Sequence, residues 1–179
     1  FFVIKFLRKL LPKTYVTVQN RDDYHFIEKL SIPKINLHLI LGTGVDVNRY
    51  YPVKKYNKVP IVILPSRMLW HKGIQEFVGA ARSLQKKSLN CRFVLVGDSD
   101  DSNPSSIGKE QLFLWQEEGC IEWWGHEEDM LNALAKADIV CLPTYREGLP
   151  KSLLEAASSG IAIVATDVPG CREIVEHGV

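Results

Sequence analysis

The sequence predicts an α/β protein: a Rossmann-like doubly wound parallel sheet, preceded by a remnant of another α/β domain. Two observations carry that expectation. From residue 59 onward, five short apolar runs rich in β-branched residues alternate with amphipathic stretches of helical period. The loops that follow those runs hold glycines, prolines and charges, and open parallel sheets bind their ligands at such loops.

Residues 60–65 (PIVILP) form a continuous apolar run, as expected of a strand buried on both faces. Ile74, Phe77, Val78, Ala81 and Leu84 then recur at helical spacing and predict a helix over 72–87. RFVLV at 92–96 is the second strand, closed by Gly97 and Asp98, and a polar loop holding Pro104 runs to residue 108. Helices are expected over 109–118, 128–136, 150–159 and 171–176, with strands at 121–124, 137–142 and 161–165 between them. Such alternation makes a parallel sheet with helices on both faces, and right-handed crossovers fix its winding. The first 58 residues fall outside this count. A helix at 3–11, a strand at 15–19, a helix at 22–30 and a strand at 36–41 suggest the tail of a preceding α/β domain. The expected division is 1–45 for that remnant, 46–58 for a linker and 59–179 for the main domain, with both ends read as cuts in a longer protein.

Composition narrows the function by exclusion. Apolar residues make up 46% and charged residues 24%, the balance of an ordinary globular domain, and a net charge of +1 leaves no basic field for nucleic acid. Cys91, Cys120, Cys141 and Cys171 form no CxxC pair, so the expectation is reduced thiols packed as small hydrophobes in a cytoplasmic protein. No apolar run reaches the roughly 20 residues that span a bilayer. Residues 1–13 predict a helix with an apolar stripe and four cations (Lys5, Arg8, Lys9 and Lys13). Two readings stay open for it: a helix that packs on the preceding domain, or one whose basic side also touches the inner membrane surface.

The richest loop runs from Pro143 through Thr144, Tyr145, Arg146, Glu147, Gly148 and Leu149 to Pro150, and leads into a helix that carries Glu155. Gly148 suits a tight turn and Pro150 a first helical position. The unpaired amides of the first helical turn would face an anion at the strand ends. Glu147 and Glu155 flank that helix start, so a phosphate on the amides would leave two carboxylates to accept bonds from hydroxyls on either side. A nucleotide sugar has this layout. Arg67 and Lys72, at the two ends of the loop after the first strand, would add cations for a diphosphate, Arg through its fork and Lys as a point charge. By contrast, the run Asp98, Ser99, Asp100, Asp101 lacks the glycine and terminal glutamate of a calcium loop. Trp115, Trp123 and Trp124 are expected to pack in the core rather than to form sugar platforms.

SRMLWHKG at 66–73, the pair Gly125-His126, and above all REGLPKSLLEAASSG at 146–160 with ATDVPGCREIV at 165–175 carry a family resemblance. Residues 36–179 resemble the carboxyl-terminal domain of retaining glycosyltransferases of the GT-B fold, and GTGVD at 42–46 matches that family's hinge loop. YREGLPKSLLEA and TDVPGCRE are similar to bacterial enzymes that build capsular, exopolysaccharide or lipid-linked oligosaccharide chains. The resemblance implies that Arg67 and Lys72 grip the donor diphosphate and that Glu155 holds the ribose. It places the Gly148 and Leu149 amides on phosphate or sugar, Gly125 and His126 on the base, and Gly44 in the donor-side hinge loop. Glu147 would be the catalytic residue, beside the transferred sugar. The donor would be a nucleotide diphosphate sugar, a UDP-sugar before others, and the acceptor a glycan or a lipid-linked chain. No cofactor or metal is implied. One departure is that Ala157, Ser158 and Ser159 replace the family's Met-Ala-Cys-like segment. Two alternatives stay open: a nucleotide-sugar epimerase on the same fold, and a nucleotide-binding module without catalysis. A dinucleotide-dependent oxidoreductase is disfavoured, because no GxGxxG follows the first strand.

Overall fold

A computed structural model of the chain describes residues 15–30, 33–52 and 57–178. The expected helix at 3–11 and the basic segment at 1–13 lie outside the described residues.

The principal sheet has five parallel strands in the order β5-β4-β3-β6-β7. These are β3 (Ile61–Pro65), β4 (Arg92–Val96), β5 (Glu122–Trp123), β6 (Ile139–Leu142) and β7 (Ala162–Ala165). All five β3 residues are buried, as a central strand covered on both faces requires. β3 pairs with β4 from Ile61↔Arg92 to Pro65↔Val96 and with β6 through Val62↔Ile139 and Ile63↔Val140. The chain therefore goes outward from β3 to β5, then returns to β6 on the other side. That reversal leaves a crevice between the carboxyl ends of β3 and β6, the topological switch point where ligands of such sheets bind.

A smaller unit precedes it. β1 (Val16–Val18) and β2 (Leu37–Leu39) pair in parallel, with helix α1 (Arg21–Glu28) crossing between them. Asn20 caps α1 by accepting a bond from the Asp23 amide. The expected strand at 36–41 is shorter, because residues Lys34–Asn36 close a 3-10 turn before β2.

Four helices lie against the principal sheet: α2 (Ile74–Lys86), α3 (Lys109–Glu117), α4 (Met130–Leu134) and α5 (Lys151–Ser158). Several bounds differ from those expected. The helix expected over 72–87 is a 3-10 turn, Trp70–Lys72, followed by α2, because Gly73 between them takes a left-handed φ of 77°. The helix expected over 128–136 shrinks to α4, where the Asp129 side chain caps the Leu131 amide. Residues 171–176 give only a 3-10 turn, Cys171–Glu173, entered through Gly170 at φ 84°. Pro150 is the N-cap of α5 rather than its first helical residue, with an extended ψ of 111°.

The core fills both sides of β3 and β4, with Phe77 set edge-on to Phe93. Trp115 is buried, while Trp123 and Trp124 are half-buried and packed against the core. Tyr50, inside the stretch read as a linker, is also buried there.

Candidate functional site

The crevice between β3 and β6 is closed by two loops stitched together through the backbone. The His71 carbonyl accepts from the Tyr145 amide at 3.0 Å and from the Thr144 hydroxyl at 3.1 Å. Gly73 is buried directly beneath the Pro143 carbonyl, so the end of the 66–73 loop and the start of the 143–150 loop share one position.

That contact sets the central feature of the site. The Lys72 ammonium donates to both carboxylate oxygens of Glu147, at 2.7 and 2.9 Å. Their side chains are only 17% and 11% exposed. Taking two charges out of water costs several kcal/mol per ion, so a nearly buried pair adds little to stability. What it provides is a pair of opposite charges held ready in a medium of low dielectric. Beneath it lies Cys171, whose thiol is pushed up to about 11 by burial first and by the Glu147 carboxylate second, with Lys72 partly offsetting them.

Glu147 and Glu155 flank the start of α5, as expected. The N-cap, Pro150, has no side-chain bond to give, so among the described residues the amides of Lys151 and Ser152 keep their donors at the helix start. Glu155 is 5% exposed. Its carboxylate lies beside Tyr50 and pairs with Lys151 at 3.2 Å. Lys151 is 65% exposed and stands four residues before the glutamate, the less favourable order for a helical pair. It is therefore a weak, displaceable cover over a fixed acceptor.

Tyr50 titrates at about 12, above the ordinary 10.0, because burial and then the Glu155 carboxylate oppose a phenolate. The fold favours the protonated form. Its contribution is full below the unfolded value near 10 and is lost as pH rises through about 12. Wild type should then lose roughly 2 kcal/mol across that window that Tyr50→Phe does not lose, since moving a pKa by one corresponds to about 1.4 kcal/mol. Urea midpoints at pH 9 and pH 11.5 check this. Parallel losses in the two proteins would remove Tyr50 from the account.

The other expected residues are placed as follows. Arg67 stands at the carboxyl end of β3, 63% exposed, and pairs with Asp100 at 3.2 Å. It does not meet Lys72's partner. Gly125 is left-handed at φ 72°, and its carbonyl accepts from the Gly97 amide at 2.7 Å. His126 beside it is exposed. Gly44 is exposed with open space around it, whereas Gly42 in the same loop lies against the Leu149 side chain. The 42–46 loop and the start of α5 are thus neighbours. Among the described residues, no group of three or more His, Cys, Asp or Glu side chains could hold a metal ion.

One cluster escaped the sequence reading: Asn20, Arg21, Asp22 and Asp23. They lie at the start of α1, and each bonds to the 146–148 or 172–173 segment. A polar run at a helix start carries no local sign of so distant a partner.

The fold is an open, doubly wound α/β sheet whose crevice carries two carboxylates, Glu147 and Glu155, about a helix start. Residues 59–179 match the family of glycosyl transferases group 1, and the chain belongs to that family. It is 34% identical to the N,N'-diacetylbacillosaminyl-diphospho-undecaprenol alpha-1,3-N-acetylgalactosaminyltransferase of Campylobacter jejuni, an alignment covering 98% of this chain and 49% of the relative. It is 23% identical to the UDP-Gal:alpha-D-GlcNAc-diphosphoundecaprenol alpha-1,3-galactosyltransferase of Escherichia coli, over 90% of this chain and 44% of that one. The Anabaena protein HepE, in a crystal structure with UDP and glucose, shares the fold at a TM-score of 0.78 and 20% identity, over 98% of this chain and 51% of HepE. The chain spans about half the length of the curated relatives it matches.

Proposed function

We propose that this chain is the donor-binding half of an enzyme that transfers a sugar from a nucleotide diphosphate sugar, a UDP-sugar first, to a growing glycan or lipid-linked acceptor with retained configuration. The observation that carries the reading is the joint placement of Glu147, Lys72 and Glu155 around the uncapped start of α5. Residues 59–179 would bind the donor, residues 1–45 would belong to the acceptor side, and 46–58 would link them. The Campylobacter and Escherichia coli relatives are named for undecaprenol-linked acceptors, which supports a lipid-linked acceptor and peripheral work at the inner membrane for this chain too. Among the described residues no helix is long and apolar enough to cross a membrane.

In this reading the diphosphate lies on the amides of Lys151 and Ser152 and of Gly148 and Leu149. Lys72 and Arg67 neutralise it, and Glu155 takes the ribose hydroxyls once Lys151 swings aside. Gly125 and His126 border the base, and Gly44 belongs to the loop beside Leu149. Glu147 stands next to the sugar ring, where its carboxylate would stabilise the positive charge that develops as the glycosidic bond breaks. Lys72 balances the phosphate that leaves. No residue of the site is an evident nucleophile on the far face of the sugar, so the reading keeps retention with a front-face attack assisted by the leaving phosphate.

Glu155→Ala should weaken nucleoside diphosphate binding about tenfold to a hundredfold, as expected for loss of a bond to a charged group. Donor KM should rise in step, because ribose is present in ground and transition states alike. Isothermal titration with UDP and other nucleoside diphosphates measures it. Unchanged affinity in the variant, or no binding of any nucleoside diphosphate by wild type, would sink the reading.

A further inference from the structure

Asn20 is a polar residue with 0% exposure, and it comes from the β1–α1 junction rather than from the principal sheet. Its side-chain oxygen caps α1 by accepting from the Asp23 amide at 2.7 Å. Its amide nitrogen donates across the molecule to the Gly148 carbonyl at 2.9 Å and lies 3.5 Å from the Glu147 carbonyl, with the Asp23 carboxylate 3.0 Å away. The residue next to it also touches this peptide: a Cβ on Gly148 would run into the Gln19 side-chain oxygen. Gly170 also presses on the same two carbonyls, where a Cβ would lie 2.6 and 2.7 Å from the Gly148 and Glu147 oxygens. The Glu147 amide donates to the Pro169 carbonyl at 3.3 Å. The Glu147-Gly148 peptide is therefore clamped between Asn20 and the 169–170 turn.

Three ion pairs surround the clamp: Arg21 with Glu173, Asp22 with Arg172, and Asp23 with Arg146. The Arg21 backbone amide also donates to Glu173 at 2.7 Å. The arginines are 44% to 68% exposed, so water screens each pair from the arginine side even where, as at Glu173, the carboxylate is 4% exposed. They orient α1. The buried Asn20 fixes the peptide, because a buried polar group that loses its partner is costly while a solvated one is not.

We propose that Asn20 is a positioning residue for Glu147: it holds the Glu147-Gly148 peptide so that the glutamate side chain reaches Lys72 and the sugar position. The consequence is a coupling across the molecule, because the carboxylate that faces the sugar is set in place only when α1 is seated on the 146–148 and 172–173 segments. The proposal rests on the transferase reading for its catalytic consequence, while the clamp itself does not.

Asn20→Ser separates the two duties of the side chain. Serine is as good an N-cap as asparagine, but it is too short to grip the Gly148 carbonyl. Two measurements on the full-length protein decide the proposal. The first is amide hydrogen exchange, with no ligand present. Exchange over 144–150 is expected to speed up about tenfold, the size of one lost hydrogen bond, with β3 and β4 unchanged. Equal exchange in variant and wild type overturns the clamp. The second is steady-state transfer together with UDP affinity. The expected outcome is kcat down about tenfold, UDP Kd within about twofold, and no further loss when Asn20→Ser is added to Glu147→Gln, since coupled residues are not additive. A full additional loss in the double variant, or parallel losses in kcat and UDP affinity, overturns the positioning role. If wild type transfers no sugar while exchange over 144–150 responds as expected, the transferase reading fails and the clamp stands.

Discussion

Glu147→Ala in the full-length protein is expected to lower kcat about a hundredfold or more while leaving UDP affinity unchanged or slightly tighter. The first half follows from the chemistry of the proposed reaction. A carboxylate held beside the ring acts where positive charge develops, and removing one preorganised group of this kind costs about a hundredfold to a thousandfold in rate. The second half follows from the ligand-free geometry. Lys72 spends both of its short hydrogen bonds on Glu147, at 2.7 and 2.9 Å, so a diphosphate must compete with that carboxylate for the ammonium. Without Glu147 the ammonium is free to meet the diphosphate, which is the part of the donor that UDP retains. Glu155→Ala points the other way, with affinity reduced and kcat spared. Measuring kcat, donor KM and UDP Kd for both variants separates the two roles. Equal losses of UDP affinity in both would overturn the division between a carboxylate for the reacting sugar and one for the ribose.

Much of the fold, and the place of the crevice in it, was legible in the sequence, for reasons that can be named. Continuous β-branched runs locate buried strands well, and PIVILP and RFVLV mark β3 and β4 to within a residue. The glycines and charges between them mark the crevice, because a doubly wound sheet puts strand-to-helix loops on one edge. Side-chain partners were not legible. Lys72 and Glu147 read as two separate groups for a donor, whereas they are joined to each other, and that choice depends on Gly73 seating the 66–73 loop on Pro143. The stretch Asn20 to Asp23 reads as an ordinary helix start, since an N-cap and two early acids are what any exposed helix carries. Its bonds reach residues 123 to 152 positions away, and no local spacing encodes such a distance. Tyr50 sits among charges and Pro52, which conceal a buried ring against Glu155.

Gly73→Ala is expected to be strongly damaging, and its effect is on stability first. The backbone there is left-handed at φ 77°, a conformation that costs a residue with a Cβ about 1–2 kcal/mol. The added carbon would also overlap the Pro143 carbonyl oxygen and lie 2.6 Å from the carbonyl carbon, backbone atoms that cannot turn aside as a side chain would. Overpacking of this kind adds roughly 1–3 kcal/mol. The sum, about 2–5 kcal/mol, should lower Tm by on the order of 10 °C in a domain of this size. Because Gly73 follows Lys72 and seats its loop on Pro143, relief of the clash also pulls the ammonium away from Glu147. Gly79→Ala, in the exposed middle of α2 with open space around its α-carbon, is the comparison, and there alanine is expected to stabilise by up to about 1 kcal/mol. Thermal melts of the two variants beside wild type measure the contrast. A Gly73→Ala protein that melts with wild type and binds UDP as tightly would show that neither the left-handed turn nor its packing on Pro143 holds the Lys72 loop in place.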